Sequence, residues 1–249
     1  MGVQVDAITV AELHARIYDA CRTGPPALVF HVNAHALNIA TADPTFQDLL
    51  NSADICFCDG VGVRLAAAMG GYHLPPRITY ADWTWEFAEY CSQRDLSWFL
   101  LGGIPGRAEE AALALRSRFP RLRITGTQHG FFDKSPGSSE NASVIAAIND
   151  SGADVLLVGF GMPIQEQWLS ENWPDLETRV GLPGGAFLDY VSGALRRAPL
   201  VFTRTGFEWL GRVLIEPRRL WRRYLIGNPR FLGNAAKAAL RSRMKKEPP

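Results

Sequence analysis

Six short apolar runs, each separated from the next by helix-like or turn-rich stretches, constrain this chain more than any other feature. Ala27–Val32, Asp54–Cys58, Ser97–Leu101, Leu122–Thr125, Asp154–Phe160 and Arg179–Leu182 have the β-branched and apolar character of strands. Val155-Leu156-Leu157-Val158 shows no polar alternation at all, which suits a strand covered on both faces of a parallel sheet. Between the runs, Ala81–Ser92, Arg107–Phe119, Ala142–Asn149 and Ile164–Trp173 carry helical spacing. Alternation at this interval implies right-handed βαβ units. The expected fold is therefore α/β: a doubly wound, mostly parallel, Rossmann-like sheet. With 249 residues, 47% apolar and 20% charged, the chain can bury one substantial core and still carry an appendage.

Charge marks where that appendage should begin. Residues 196–249 hold 14 Lys or Arg against Glu208, Glu216 and Glu247, a formal balance of +11, and residues 1–195 carry −10. The predicted organisation is an α/β core over 1–195 and a basic, helical, membrane-associating appendage over 196–249. Thr205–Ile215, Arg218–Leu225 and Phe231–Lys245 read as its three helices. Pro217 and Gly227-Asn228-Pro229 separate them. Phe202, Phe207, Trp209, Leu210, Trp221, Tyr224 and Phe231 run through the basic residues, as in an amphipathic surface element. Its partner should be anionic: phospholipid head groups, nucleic acid or a phosphate-bearing substrate. The apolar residues suit either lipid or a second copy of the chain.

No apolar run approaches the roughly 20 residues that span a bilayer. The N-terminus shows no charged segment leading into an apolar one, so no signal peptide is expected and any membrane contact should be peripheral, from the cytoplasmic side. Cys21, Cys56, Cys58 and Cys91 contain no CxxC pair and read as reduced, buried thiols.

Ligands of parallel α/β sheets gather at the carboxyl ends of the strands. Those ends here are Asn33-Ala34-His35, Asp59-Gly60-Val61-Gly62, Gly102-Gly103-Ile104-Pro105-Gly106, Gly159-Phe160-Gly161 through Glu166, and Gly184-Gly185-Ala186-Phe187-Leu188-Asp189. Four of the five are glycine-rich, which is the layout of a nucleotide or sugar-nucleotide cleft. Individual elements stay ambiguous. Gly102-Gly103 could present amides to a phosphate at a helix start, or could simply form a tight turn. Asp59 could meet a substrate hydroxyl, or cap a helix beginning near Val63. His31 and His35 lie near the same rim, four positions apart, and the five histidines show no HExxH motif. GxGxxG and GxxxxGK[ST] are absent, which argues against a dinucleotide fold and excludes a P-loop. No DxD occurs, so the usual metal-bridged diphosphate site is not expected.

Taken in order, these segments resemble the WecG/TagA/CpsF family of bacterial glycosyltransferases. The resemblance runs from about Phe30 to Tyr224. It rests on Asp59-Gly60-Val61-Gly62, Gly159-x-Gly161-x-Pro163-x-Gln165-Glu166-x-Trp168, Gly184-Gly185-Ala186-Phe187-x-Asp189 and Arg197-Ala198-Pro199. Phe207-Glu208-Trp209-Leu210-x-Arg212 and Glu216-Pro217-x-Arg219-x-x-Arg222 complete it. It implies a GT-E type fold and an inverting transferase moving a sugar from a UDP-sugar onto an undecaprenyl-diphosphate-linked saccharide at the inner leaflet. The sugar would be N-acetylmannosamine, its uronic acid, or another such as glucose. Asp59 matches the family's general base and Gln165 an active-site glutamine, while Arg212, Arg219 and Arg222 match arginines that close over the donor diphosphate. His31, Asn33, Gly60, Arg77, Gly102, Gly103, Gly161, Glu166, Gly185 and Asp189 are the implied substrate contacts. Two departures stand out: His31-Val32-Asn33 replaces the usual Thr-x-Asn, and Tyr80 replaces Gly in Arg77-Ile78-Thr79-Tyr80-Ala81-Asp82.

Inverting displacement needs a base on the acceptor hydroxyl and stabilisation of the leaving UDP. With guanidinium groups taking that second role, no metal and no further cofactor is expected. Helical spacing puts Arg219 and Arg222 on one face and leaves Arg218 and Arg223 for lipid head groups. A non-catalytic nucleic-acid binder would also explain the basic tail, but no such motif is present and no nucleic-acid partner is expected. An oxidoreductase on a Rossmann-like core lacks its fingerprint.

Overall fold

The computed structural model describes residues 1–195 and 208–244, without the side chains of Glu208, Arg212, Arg219 and residues 241–244. Its centre is a six-stranded sheet: β1 (Ala27–Val32), β2 (Ile55–Cys58), β3 (Ser97–Gly102), β4 (Arg123–Gln128), β5 (Val155–Gly159) and β6 (Val180–Pro183). Every pairing is parallel and the order is β2-β1-β6-β5-β3-β4. All six expected strands are present. β1, β2, β3 and β6 are buried at every position, as strands covered on both faces must be.

Two apolar layers cover the sheet. One face carries α1 (Val10–Arg22), α5 (Tyr80–Gln93), α6 (Arg107–Arg118) and α9 (Phe187–Val191); there Trp83, Phe87 and Trp98 stack at 4.8 and 5.2 Å between ring centroids. The other carries α2 (Ala34–Ala42), α3 (Pro44–Asn51), α7 (Ser139–Asp150) and α8 (Ile164–Asn172) over Phe30, Phe46, Leu156 and Trp168. A further helix, α4 (Val61–Met69), follows β2. All four cysteines are free and buried, and burial pushes the Cys56 and Cys58 thiols up to about 12.

The amino ends of the strands are pinned by carboxylates. Asp54 accepts from the Leu28 amide at 2.8 Å, tying β1 to β2. Asp154 accepts from the Ser97 amide at 2.7 Å and from its hydroxyl at 2.8 Å, tying β3 to β5. The opposite rim, at the carboxyl ends, keeps its polar groups for other work.

The C-terminal helices differ from the expected three pieces. α10 (Glu208–Ile215) and α11 (Pro217–Trp221) are followed by a π-helical turn at Arg222–Ile226, and α12 runs unbroken over Gly227–Met244. Gly227-Asn228-Pro229 opens α12 rather than interrupting it. Proline is harmless in a first turn, where its missing N–H has no helical partner. α12 packs on α2 and α4, with Phe231 buried and the Gly227 carbonyl accepting from Asn38 at 2.7 Å. Among the described residues no helix is long and apolar enough to cross a membrane.

Gly102 closes β3 with φ of +136°, and a Cβ there would lie 2.5 Å from the Gly159 carbonyl oxygen of the neighbouring strand. Gly102→Ala is expected to cost at least ~2 kcal/mol and lower Tm by roughly 5 °C or more, read by calorimetry. An unchanged Tm would show that the backbone relaxes there freely.

Candidate functional site

The sheet reverses its winding at β1: the chain steps outward to β2, then crosses over to build β3 to β6 on the other side. A cleft of about 570 Å³ opens above this point, where open α/β sheets place their ligands. Its lining comes from the carboxyl ends of β1, β2, β5 and β6, the start of α5 and the C-terminal helices. His31, Asn33, Asp59, Gly60, Arg77, Gly161, Gln165 and Gly185 all line it.

Asp59 follows β2 and does not cap α4. Gly60, with φ of +118°, takes the cap position, and no side chain bonds the exposed amides. The carboxylate is therefore left on the cleft wall with a fifth of its side chain exposed, 3.9 Å from His31 Nε2. Burial, opposed by the Asp59 charge and reinforced by Arg223, holds the His31 imidazole below its ordinary pKa and so neutral. His35 behaves alike: burial and Arg223 lower it to about 4. Asn33 has structural employment, since its side-chain oxygen caps α2 by accepting from the His35 and Ala36 amides at 3.0 and 3.1 Å.

Gln165 sits fully buried in the floor. Its Oε1 accepts from the Gly161 amide at 3.0 Å and the Gly185 amide at 2.9 Å, bracketing the loops after β5 and β6. Its Nε2 donates to Glu166 Oε1 at 2.8 Å. Glu166 lies behind the lining, fully buried, and desolvation raises its pKa to about 7.

Several expected contacts lie elsewhere. Gly102 and Gly103 are outside the cleft; the Gly103 amide donates to Gly159 O, and the segment is a tight turn between β3 and α6. Asp189 is also outside, its carboxylate 3.1 Å from Arg107 Nε in an ion pair that joins α9 to α6. Arg222 is exposed, with its guanidinium 5.2 Å from the Trp221 ring centroid. The side chains of Arg212 and Arg219, and Arg197-Ala198-Pro199, lie outside the described residues. Arg223, expected to face lipid, instead lines the cleft beside Tyr224. Arg223 is the second residue of the π-helical turn at Arg222–Ile226.

Tyr80, Tyr190, Trp209, Tyr224 and Asn228 also line the cleft. Of these, the sequence marks Tyr80 as a departure from a family pattern, and Trp209 and Tyr224 only as aromatics of the amphipathic appendage. Aromatic residues in an amphipathic helix look alike whether they face lipid or a ligand, so the others carried no distinguishing signal. Among the described residues, no three His, Cys, Asp or Glu side chains cluster as metal ligands would.

The cleft at the switch point of this Rossmann-like parallel sheet is lined by one carboxylate, Asp59, and by two arginines, Arg77 and Arg223. The chain matches the model of the glycosyl transferase WecG/TagA/CpsF family over residues 1–245, and it belongs to that family. It is a glycosyltransferase. Among similar proteins are N-acetylglucosaminyldiphosphoundecaprenol N-acetyl-beta-D-mannosaminyltransferases of Staphylococcus aureus strains MRSA252, NCTC 8325 / PS 47 and COL. Each is 28% identical over 240 residues, covering 96% of this chain and 91% of theirs.

Glu166 provides a test of the buried floor. With its folded pKa raised from 4.5 to about 7, the folded state holds a proton that the unfolded state releases. Its contribution is most favourable below about pH 4.5 and declines as pH rises to 7, by up to ~3 kcal/mol. Glu166→Gln is expected to flatten that decline, so denaturant unfolding at pH 5 and pH 8 should show the variant gaining on the wild type at the higher pH. A constant difference would show that Glu166 titrates normally.

Proposed function

We propose that this glycosyltransferase moves a sugar from a UDP-sugar onto a polyprenyl-diphosphate-linked saccharide, with inversion at the anomeric carbon. The observation that carries the proposal is Asp59, uncapped and part-exposed on the wall of a cleft that also contains Arg77 and Arg223. Asp59 accepts the proton of the acceptor hydroxyl as that oxygen attacks the anomeric carbon. The bond to the UDP oxygen breaks as the new one forms, and the charge left on the diphosphate is met by guanidinium groups. Arginine suits this because it binds diphosphate oxygens in pairs and keeps its charge. Arg223 and Arg77 are the cleft residues for that task, and the reaction is proposed to need no metal. N-acetylmannosamine is the first donor sugar to try and an N-acetylglucosamine-bearing acceptor the first acceptor, as in the named activity of the Staphylococcus aureus relatives.

The acceptor's lipid would hold the enzyme to a membrane surface through the C-terminal helices. Leu214, Trp221, Leu225, Ile226 and Leu240 are exposed there, interleaved with exposed Arg218, Arg222, Arg230 and Lys237. Each basic residue near an anionic leaflet contributes about 1 kcal/mol, so this face gives reversible attachment.

Asp59→Asn is expected to lower transfer at least ~100-fold, read by mass spectrometry with UDP-N-acetylmannosamine and a short-chain polyprenyl-diphosphate N-acetylglucosamine, with UDP affinity unchanged. Near-normal turnover would remove Asp59 from the base role. Arginine substitutions separate the two faces of the π-helical turn. Arg223→Ala should weaken UDP binding about tenfold or more, whereas Arg222→Ala should leave it intact and reduce binding to anionic vesicles. Equal effects on UDP would mean that the turn does not sort the two.

A further inference from the structure

Tyr80 Oη, Glu166 Oε2 and His31 Nδ1 are among the buried polar atoms around the cleft that make no hydrogen bond within the described residues, although the Pro183 carbonyl interacts with the His31 ring. His31 and Tyr80 line the cleft, and they are 4% and 5% exposed. A buried hydroxyl or imidazole nitrogen left unmatched costs about 1–3 kcal/mol, and folded proteins leave few of them. Two on one wall of a substrate cleft point to a ligand that completes them.

Neither group is free to turn away. The two rings meet at 4.9 Å between centroids, at 58°. Tyr80, the first residue of α5, is further wedged against Trp83 edge-on at 5.1 Å, Phe57 at 6.1 Å and Phe187 at 6.4 Å. His31 belongs to β1 and packs on Phe57 at 5.8 Å. Oη and Nδ1 are thus placed by the hydrophobic layer under the sheet before any substrate arrives, so little ordering cost falls on binding.

Both groups are also neutral. Burial lowers the His31 pKa and raises that of Tyr80 well above the usual phenol range, with the nearby Asp59 and Glu166 charges adding to the latter. A phenol that stays protonated and an uncharged imidazole match a hydroxyl or an amide. They do not match a phosphate, for which the cleft has its arginines. Asp59, 3.9 Å from His31, fixes which end of the cleft this is: the one where the bond forms.

We infer that Tyr80 and His31 make a sugar-reading subsite, in which Tyr80 Oη and His31 Nδ1 hydrogen-bond a neutral hydroxyl or acetamido group of a sugar held beside Asp59. The inference rests on the glycosyl-transfer mechanism proposed above. Sites that pair a substrate polar group with buried partners reject analogues lacking that group far more strongly than apolar pockets do, because the partners stay unmatched. The two residues therefore set specificity and leave the bond-making step to Asp59. Donor and acceptor sugars both come close to Asp59, and the experiment separates them.

Tyr80→Phe keeps the ring and removes only Oη. Without substrate its Tm should equal or exceed that of the wild type, since an unmatched hydroxyl has been deleted. UDP affinity should be unchanged. Transfer is then measured over UDP-N-acetylmannosamine, UDP-N-acetylglucosamine and UDP-glucose with one acceptor, and over acceptors with N-acetylglucosamine or glucose as terminal sugar with one donor. The expected result is a loss of about tenfold to a hundredfold in kcat/KM for the preferred sugar in one panel. The smaller loss for its competitors should compress the preference in that panel. The panel that compresses names the sugar Tyr80 reads. Unchanged preferences in both panels would overturn the inference, as would a Tm lowered by several degrees, which would give Oη a structural partner. If the wild type binds no UDP and transfers from no donor, the glycosyl-transfer mechanism fails first, and the subsite falls with it.

Discussion

One side-chain oxygen holds the floor of the cleft together. Gln165 Oε1 accepts from the amides of Gly161 and Gly185, which belong to loops after different strands, at 3.0 and 2.9 Å. Loops at the carboxyl ends of a parallel sheet have no ladder beyond the last strand residue, so without such a bracket the two would move independently. Gln165 is fully buried, and its amide nitrogen is occupied by Glu166. Its orientation is thereby settled: the oxygen faces the two amides and the nitrogen faces the carboxylate. The cleft's geometry depends on this residue even if no substrate atom ever touches it. Buried polar groups satisfied in this way rigidify their surroundings, and a partly satisfied set would do the opposite.

The arrangement of charge follows from how the sheet is closed below and open above. Asp54 and Asp154 spend their carboxylates on backbone amides at the amino ends of the strands. Asp189 spends its own on Arg107. At the upper rim, Asp59 is left without such a tie because Gly60 starts the helix in its place. Arg223 enters from the C-terminal helices, close enough to lower the pKa of both His31 and His35. The cleft thus holds the Asp59 carboxylate, Arg77 and Arg223 together with neutral imidazoles and a neutral phenol.

How much of this was legible in the sequence depended on whether a short-range pattern carried it. The six strands were, because an unbroken apolar run such as Val155-Leu156-Leu157-Val158 has few other uses. So were Asp59, Gln165 and Gly185, which stand at strand ends where a parallel sheet concentrates its ligands. α1, α2, α3 and α9 went unread, and α4 entered only as a possible helix beginning near Val63; α9 spans only five residues and α4 buries only Val63, so neither shows a helical stripe. Gly102 and Gly103 kept two meanings in the sequence; in the fold a Cβ at Gly102 would lie 2.5 Å from the Gly159 carbonyl oxygen, so the close approach of the strands itself requires glycine there. Arg222 and Arg223 changed places because helical spacing tells which residues share a face, while tertiary packing decides which face meets the cleft. Asp189 and Arg107 are 82 positions apart, beyond any local pattern.

The two departures from the family pattern become one feature once the chain is folded. His31 and Tyr80 are 49 positions apart in sequence, yet their rings pack together on one wall of the cleft. A histidine in β1 needs a neighbour that tolerates a large flat ring. A tyrosine at the start of α5 supplies that surface while filling the space against Trp83 and Phe187. Each substitution alone would leave either a void or a clash in a layer packed to crystal-like density. Both leave the positions of Asp59 and Gln165 to other elements, β2 and α8, so the cleft wall can vary while the reacting end is held. The pair proposed to read the sugar can therefore vary without disturbing Asp59 or the Gln165 bracket beneath it.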